Sequence, residues 1–136
     1  MLWKRKMSPA QLGRMGERRA AWFYRLRGFR IVARNVKTRT GEIDLIARRG
    51  RTIVVAEVKT RQSLAAGEGF EAVNAEKQLR LVRLADAWIA RQRPQNVELR
   101  YDVLSLFWNG WRFRVRHFPD AFRPFADPQR PWLWKI

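Results

Sequence analysis

The run Gly41-Glu42-Ile43-Asp44-Leu45-Ile46-Ala47-Arg48-Arg49-Gly50-Arg51-Thr52-Ile53-Val54-Val55-Ala56-Glu57-Val58-Lys59-Thr60-Arg61 decides the fold. From Gly41 to Arg48, Ile43, Leu45 and Ala47 alternate with Glu42, Asp44 and Ile46; from Thr52 to Arg61 the chain is β-branched and almost continuously apolar. Alternation at period two reads as a strand, and the unbroken apolar run as a strand covered on both faces. Arg49-Gly50 between them predicts a short hairpin turn. Glu57 and Lys59, two residues apart, must leave one face of their strand. With the turn at Arg49-Gly50, Arg48 faces Arg51, Asp44 faces Val55 and Glu42 faces Glu57. Asp44 then shares a face with Glu57 and lies diagonally from it, about 7–8 Å away at the backbone.

Charges set into apolar strands are costly unless paired or metal-bound. Two convergent carboxylates suit a hard divalent cation, Mg²⁺ or Mn²⁺. An ion there would activate water and neutralise a phosphodiester, with the Lys59 ammonium orienting that water or stabilising the pentacovalent phosphorus. Glu42, on the same face, is either a third ligand or the residue that opens its strand. A bare glutamate–lysine pair at this spacing also fits a solvated edge strand.

Outward from the hairpin, Ser8-Pro9-Ala10-Gln11 opens a helix with a cap, a first-turn proline and a capping box. That helix is expected from Pro9 to Arg27, with Leu12, Met15, Gly16, Ala20, Phe23 and Leu26 inside and Gly28 as its stop. Glu17 falls beyond that stripe, beside Gly13, Ala21 and Tyr24. A strand is expected over Phe29 to Val36, a surface loop over Gln62 to Val73, and a second helix over Asn74 to Arg91, buried through Leu81, Leu84, Ala85, Trp88 and Ile89. Strands over Glu98 to Phe107 and Trp111 to Phe118 meet at the hairpin signal Asn109-Gly110. The class is α/β (α+β), order αβββαββ, a mixed central sheet flanked by helices. Residues 1–7 read as a basic extension, 8–122 as one domain and 123–136 as a Pro/Trp-rich tail that either straps onto a surface or is poorly ordered.

Of 136 residues, 29 are Lys or Arg and 12 Asp or Glu, a net charge of +17. A hydrophobic share of 46% with seven Trp and eight Phe suits a folded core, not a basic tail. The cations are spread over the whole chain, which favours nucleic acid over a membrane surface as partner. With no Cys and one His, disulfides, Cys/His zinc sites, thiol nucleophiles and two-histidine metal motifs are excluded, so oxygen ligands must hold any metal. A Ser-His-acid triad would have to use His117, which has no companion serine motif. No stretch reaches the ~18 apolar residues of a membrane span, so a cytoplasmic protein is expected. Arg61, directly after the lysine motif, and Lys77 and Arg80 on the second helix are candidate phosphate contacts; Asp102 beside Arg100 is a candidate local ion pair. Trp3, Trp132 and Trp134 are the aromatics placed to stack on bases or a partner.

Asp44, twelve residues, then Glu57-Val58-Lys59 resembles the motif of the PD-(D/E)XK nuclease superfamily, the restriction-endonuclease-like fold. With Gly16-Glu17, Arg34-Asn35, Gly41 to Ala47, Ala56 to Arg61, Lys77 and Arg100-Tyr101-Asp102-Val103, residues 8 to 122 are similar to the bacterial YraN family, endonuclease-like proteins related to archaeal Holliday junction resolvases. The resemblance implies Asp44 and Glu57 as metal ligands, the Val58 carbonyl as a further ligand, Lys59 as the catalytic lysine, Glu17 as an auxiliary acid and Gln78 as a helix residue facing the site. Ile43 stands where the superfamily name has proline. The implied activity is Mg²⁺-dependent cleavage of nucleic acid, DNA before RNA and branched DNA among its forms, where a symmetric junction would require a homodimer. A binding or recruitment module of the same fold, and an RNA-associated basic protein, are the alternatives.

Overall fold

A computed structural model of the chain describes residues 6–62, 75–124 and 132–134. Trp3, the cap at Asn74 and the loop expected over 62–73, apart from Gln62, lie outside the described residues. Helix α1 (Pro9–Arg25) starts as expected: Ser8 accepts from the Gln11 amide, Gln11 returns the bond, and Pro9 fills the first turn. It ends two residues early, with Leu26 as C-cap. Its row Leu12, Gly16, Ala20, Phe23 and Tyr24 is buried, whereas Met15 and Leu26, expected inside, are 42% and 72% exposed. Spacing by four turns Gly16, Ala20 and Tyr24 into the sheet together and carries Met15 toward solvent, and Leu26 lies past the last turn. Gly16 permits this close seat, because a Cβ there would overlap Cγ2 of Thr60.

Strands β1 (Arg30–Thr38), β2 (Gly41–Arg49) and β3 (Thr52–Arg61) follow, then α2 (Ala75–Gln92), β4 (Glu98–Trp108), β5 (Phe113–Pro124) and β6 (Trp132–Trp134). The fold is therefore α+β in the order αβββαββ, with a short sixth strand from the tail. All six strands form one mixed sheet in sequence order. Among the described strands only β3 and β4 run parallel, and α2 lies in the crossover that such a pair requires. Across this sheet, Ile46, Val55, Leu81, Trp88 and Val103 form the core under α2. Leu45, Ala47, Val54, Ala56, Leu104, Phe23 and Tyr24 form the core under α1. A fully buried aliphatic or aromatic side chain in such a layer contributes about 1.5–3 kcal/mol. Among the described residues no helix is long and apolar enough to cross a membrane.

Two turns differ from expectation. The β2–β3 ladder runs from Arg49–Thr52 to Leu45–Ala56, so the turn is Gly50-Arg51, not Arg49-Gly50. Gly50 alone has a left-handed φ, +59°, the type II′ signature, which places glycine first in a two-residue turn. The β4–β5 pairing closes at Trp108–Phe113, because Asn109 Oδ1 accepts from the amides of Trp111 and Arg112 and builds a four-residue turn. Trp111 is thus an exposed turn residue, not the start of a strand. Strand β5 also runs past Phe118 to Pro124, with a register shift opposite Asp102 and a left-handed Asp120 (φ +52°) that lets it continue.

Candidate active site

The turn, set one residue later, moves the β2–β3 register by two residues, an even slip that keeps Asp44, Glu57 and Lys59 on one face. Asp44 does not oppose Val55, nor Glu42 Glu57. Beyond Leu45–Ala56 the next position in this register sets Asp44 against Glu57, as direct neighbours. Asp44 Oδ2 accepts the Val58 amide at 2.9 Å. Burial, the charge of Glu57, the charge of Glu42 and a hydrogen bond with Glu57 push the Asp44 carboxyl up to about 7 against the pull of the Val58 amide. Lys59 Nζ stands 3.3 Å from Glu57 Oε1, both side chains partly exposed.

The amide and carbonyl of an extended residue point to the same strand edge. Val58, whose amide reaches Asp44 on β2, therefore turns its carbonyl to that side as well. Two carboxylates and a carbonyl are hard oxygen donors of the kind Mg²⁺ and Mn²⁺ accept, and half-buried Asp44 carries acid repulsion that a cation would relieve. The donors fit the ion that the sequence implies. Among the described residues no three acidic or histidine side chains converge as a ligand group, so the remaining coordination positions would fall to water or substrate. Glu42 is not brought in as a third ligand.

A cavity of about 260 Å³ adjoins the pair, bringing Glu42, Glu57 and Lys59 of the sheet together with Lys77 and Arg80 of α2. Arg80 lies 3.7 Å from Glu76 Oε1 on its own helix. Arg61 follows Lys59 on the same face of β3. Gln78 is fully buried in α2 and does not line this cavity. Glu17 approaches from α1 through an intermediary quoted in the sequence only within the Arg34-Asn35 motif and given no role there: Asn35 Nδ2 donates to Glu17 Oε2 at 3.3 Å. With the amide turned over, the same nitrogen meets both Glu17 Oε1 (3.0 Å) and Glu42 Oε1 (3.2 Å), which satisfies both acceptors. Asn35 has φ +52°, a conformation asparagine tolerates better than most residues; its identity was the available signal.

A second buried acid lies on the other face of the sheet. Asp102 pairs with Arg100 through both its oxygens at 2.9 and 2.8 Å, as the sequence predicts. Three further partners are additions: the Tyr24 hydroxyl at 2.8 Å, His117 Nε2 at 2.8 Å and the Asp120 amide at 2.9 Å. Burial pushes Asp102 up, but the His117 and Arg100 bonds, the Asp120 amide and the Arg100 charge outweigh it and hold the carboxyl at about 2. The Tyr24 phenol is driven far above its usual range by burial and by the Asp102 charge. His117 thus ties β5 to α1 and β4.

The profile of the uncharacterised protein family UPF0102 matches residues 16–106. A UPF0102 protein of Paenarthrobacter aurescens is 50% identical over 99 residues, 73% of this chain and 82% of its own. One from Symbiobacterium thermophilum is 47% identical over 113 residues, 82% and 96% of the two chains. One from Syntrophotalea carbinolica is 40% identical over 111 residues, 82% and 90%. The chain belongs to this family.

Proposed function

We propose that this member of the UPF0102 family is a metal-dependent endonuclease that hydrolyses phosphodiester bonds in nucleic acid in the cytoplasm, DNA before RNA, with Mg²⁺ or Mn²⁺ as cofactor. The observation that carries the reading is Asp44: a half-buried carboxyl set against Glu57, raised by burial and then by its acidic neighbours, and held in place by one backbone amide. The α+β order and the Asp44, Glu57, Val58, Lys59 arrangement support a place in the PD-(D/E)XK superfamily, although fold analogy alone does not establish a substrate.

When bound by Asp44, Glu57 and the Val58 carbonyl, the ion supplies Lewis acidity and counter-charge for the displacement at phosphorus. Lys59, held by Glu57, orients the attacking water and offsets charge on the phosphoryl oxygens. Arg61, Lys77 and Arg80 hold neighbouring phosphates. Glu17 and Asn35 fix Glu42 at the mouth, and Gln78 positions the start of α2 from its buried side. On a two-fold-symmetric junction the protein acts as a homodimer.

The test is Mg²⁺- or Mn²⁺-dependent cleavage of single-stranded, duplex, flapped and four-way-junction DNA and of RNA, comparing wild type with Asp44→Asn and Glu57→Gln. Cleavage by wild type and loss in both variants is expected. One observation favours a second reading, a non-catalytic nucleic-acid-binding module: the absence, among the described residues, of a three-member ligand group. It predicts tight binding with no cleavage under either metal.

A further inference from the structure

Opposite the buried row of α1, the helix carries Arg14, Arg18, Trp22 and Arg25, all exposed. At 100° per residue they fall within an arc of about 80°, one row at spacings of four, four and three. Trp22 is 55% exposed, and the Arg25 guanidinium stands 5.5 Å over its ring. The only carboxylate of α1, Glu17, is bonded to Asn35 off the side of this row.

Beside the ridge runs a cleft of about 520 Å³, with Arg14, Glu17 and Arg18 on one wall and Arg34 and Asn35 of β1 on the other. Asn35 reaches Glu42, and Glu42 also lines the cavity of Lys59, Lys77 and Arg80. Cleft and cavity therefore adjoin at the Asn35–Glu42 contact. A backbone lying along the ridge would pass Arg18 and Arg14, reach Asn35 between α1 and β1, and continue past Glu42 into the cavity of Glu57, Lys59, Lys77 and Arg80.

Cations alternating with an exposed aromatic are what an unpaired strand uses: phosphates on the arginines and a base face on the indole. A duplex covers its base faces and gains nothing from Trp22. The apolar side of α1 is already taken by the sheet, which leaves little to insert into lipid. From this geometry, and resting on the nucleic-acid reading above, we infer that the outer face of α1 is a binding ridge for single-stranded nucleic acid. The substrate carries an unpaired strand on one side of the scissile phosphate.

The test uses full-length protein carrying Asp44→Asn in EDTA, so that binding is read without cleavage. Anisotropy titrations employ oligothymidylate, oligouridylate and a blunt duplex over a range of salt. Trp22→Ala weakens oligothymidylate by on the order of tenfold and leaves the duplex within about twofold, and Trp22→Phe restores it. Arg14→Ala, Arg18→Ala and Arg25→Ala together lower the slope of log K against log salt by about 2 on the single strand. Because these side chains are exposed, unchanged melting temperatures verify folding. The oligouridylate arm shows whether the ridge takes RNA as it takes DNA. An equal loss on duplex and single strand, or none on either, overturns the ridge, as does equally effective competition by polyglutamate. Failure of the enzyme reading looks different: wild type with Mg²⁺ cleaves nothing while Trp22→Ala still discriminates strand from duplex.

Discussion

Two aspartates occupy opposite faces of one sheet, and folding treats them in opposite ways. Asp102, under α1, is fully buried and receives Arg100, His117, a phenol and an amide; its carboxyl sits near 2. Asp44, on the α2 side, receives one amide and two acidic neighbours, and sits near 7. The chain supplies every counter-charge the first needs and surrounds the second with charge of its own sign. The surroundings of Asp102 favour its ionised form, whereas burial and like charge disfavour that of Asp44. On the proposed reading, a cation bound at Asp44 would offset the like charge gathered there.

The sharpest break of this contrast is Asp102→Ala. It strands a buried phenol and a half-buried guanidinium, and a loss on the order of 3–5 kcal/mol is expected in urea unfolding at pH 7. The pH dependence has a definite sign. A carboxyl held near 2, below its ordinary 3.8, leaves the unfolded chain binding more protons between these values. Its contribution is full above about pH 4 and is lost as pH falls toward 2. The variant's deficit should shrink by about 2 kcal/mol at pH 2. A deficit below about 1 kcal/mol at pH 7 would mean that Asp102 is not the anchor of this face.

Asp44→Asn should move stability the other way. With its carboxyl near 7 and the unfolded value near 3.8, the folded wild type holds the extra proton, so its stability falls as pH rises from about 4 to 7 and is level above. Asparagine keeps an acceptor for the Val58 amide and has nothing to ionise. The variant should exceed wild type by on the order of 1–3 kcal/mol at pH 8 and match it at pH 4, with cleavage abolished. A variant less stable than wild type at pH 8 would place Asp44 with Asp102 as a structural acid.

Mg²⁺ should close the same gap from the other side. At ten times its Kd, a cation that binds only the folded state adds about 1.4 kcal/mol. Wild type at pH 8 should melt higher with Mg²⁺ and Asp44→Asn should not, as scanning calorimetry would show. An equal shift in both would assign the ion to some other surface.

The parts of this contrast differ in how far they could be read from the chain. Alternation placed Asp44, Glu57 and Lys59 on one face, and that survived a register error of two because parity is unchanged by an even slip. The slip itself came from one glycine, whose place in the turn is set by φ +59° and not by composition. Arg100–Asp102 was legible because two residues on one strand are neighbours by construction. Tyr24, 78 residues from Asp102, was not: the packing of α1 brings it there, and no spacing rule reaches across that distance. Asn35 was quoted within a motif but given no role, since a single amide carries no periodicity.

The smallest stability effect should come from Lys59, and it tests the contrast most finely. Its ion pair with Glu57 is 3.3 Å long and partly solvated, 27% and 19% exposed at the two side chains, so Lys59→Met should change unfolding free energy by less than about 1 kcal/mol. Its methylene stem is preserved by methionine, which keeps the contact with the wall of the cavity. Cleavage, by contrast, should fall on the order of a hundredfold or more if the ammonium acts on the water or the phosphoryl oxygens. Such a split between stability and rate belongs to a group whose partner is the substrate. If Lys59→Met instead lowered stability as much as Asp102→Ala, the α2-side acids would prove to be balanced from within like those under α1, and the case for an external cation at Asp44 would fall with the difference between the two faces.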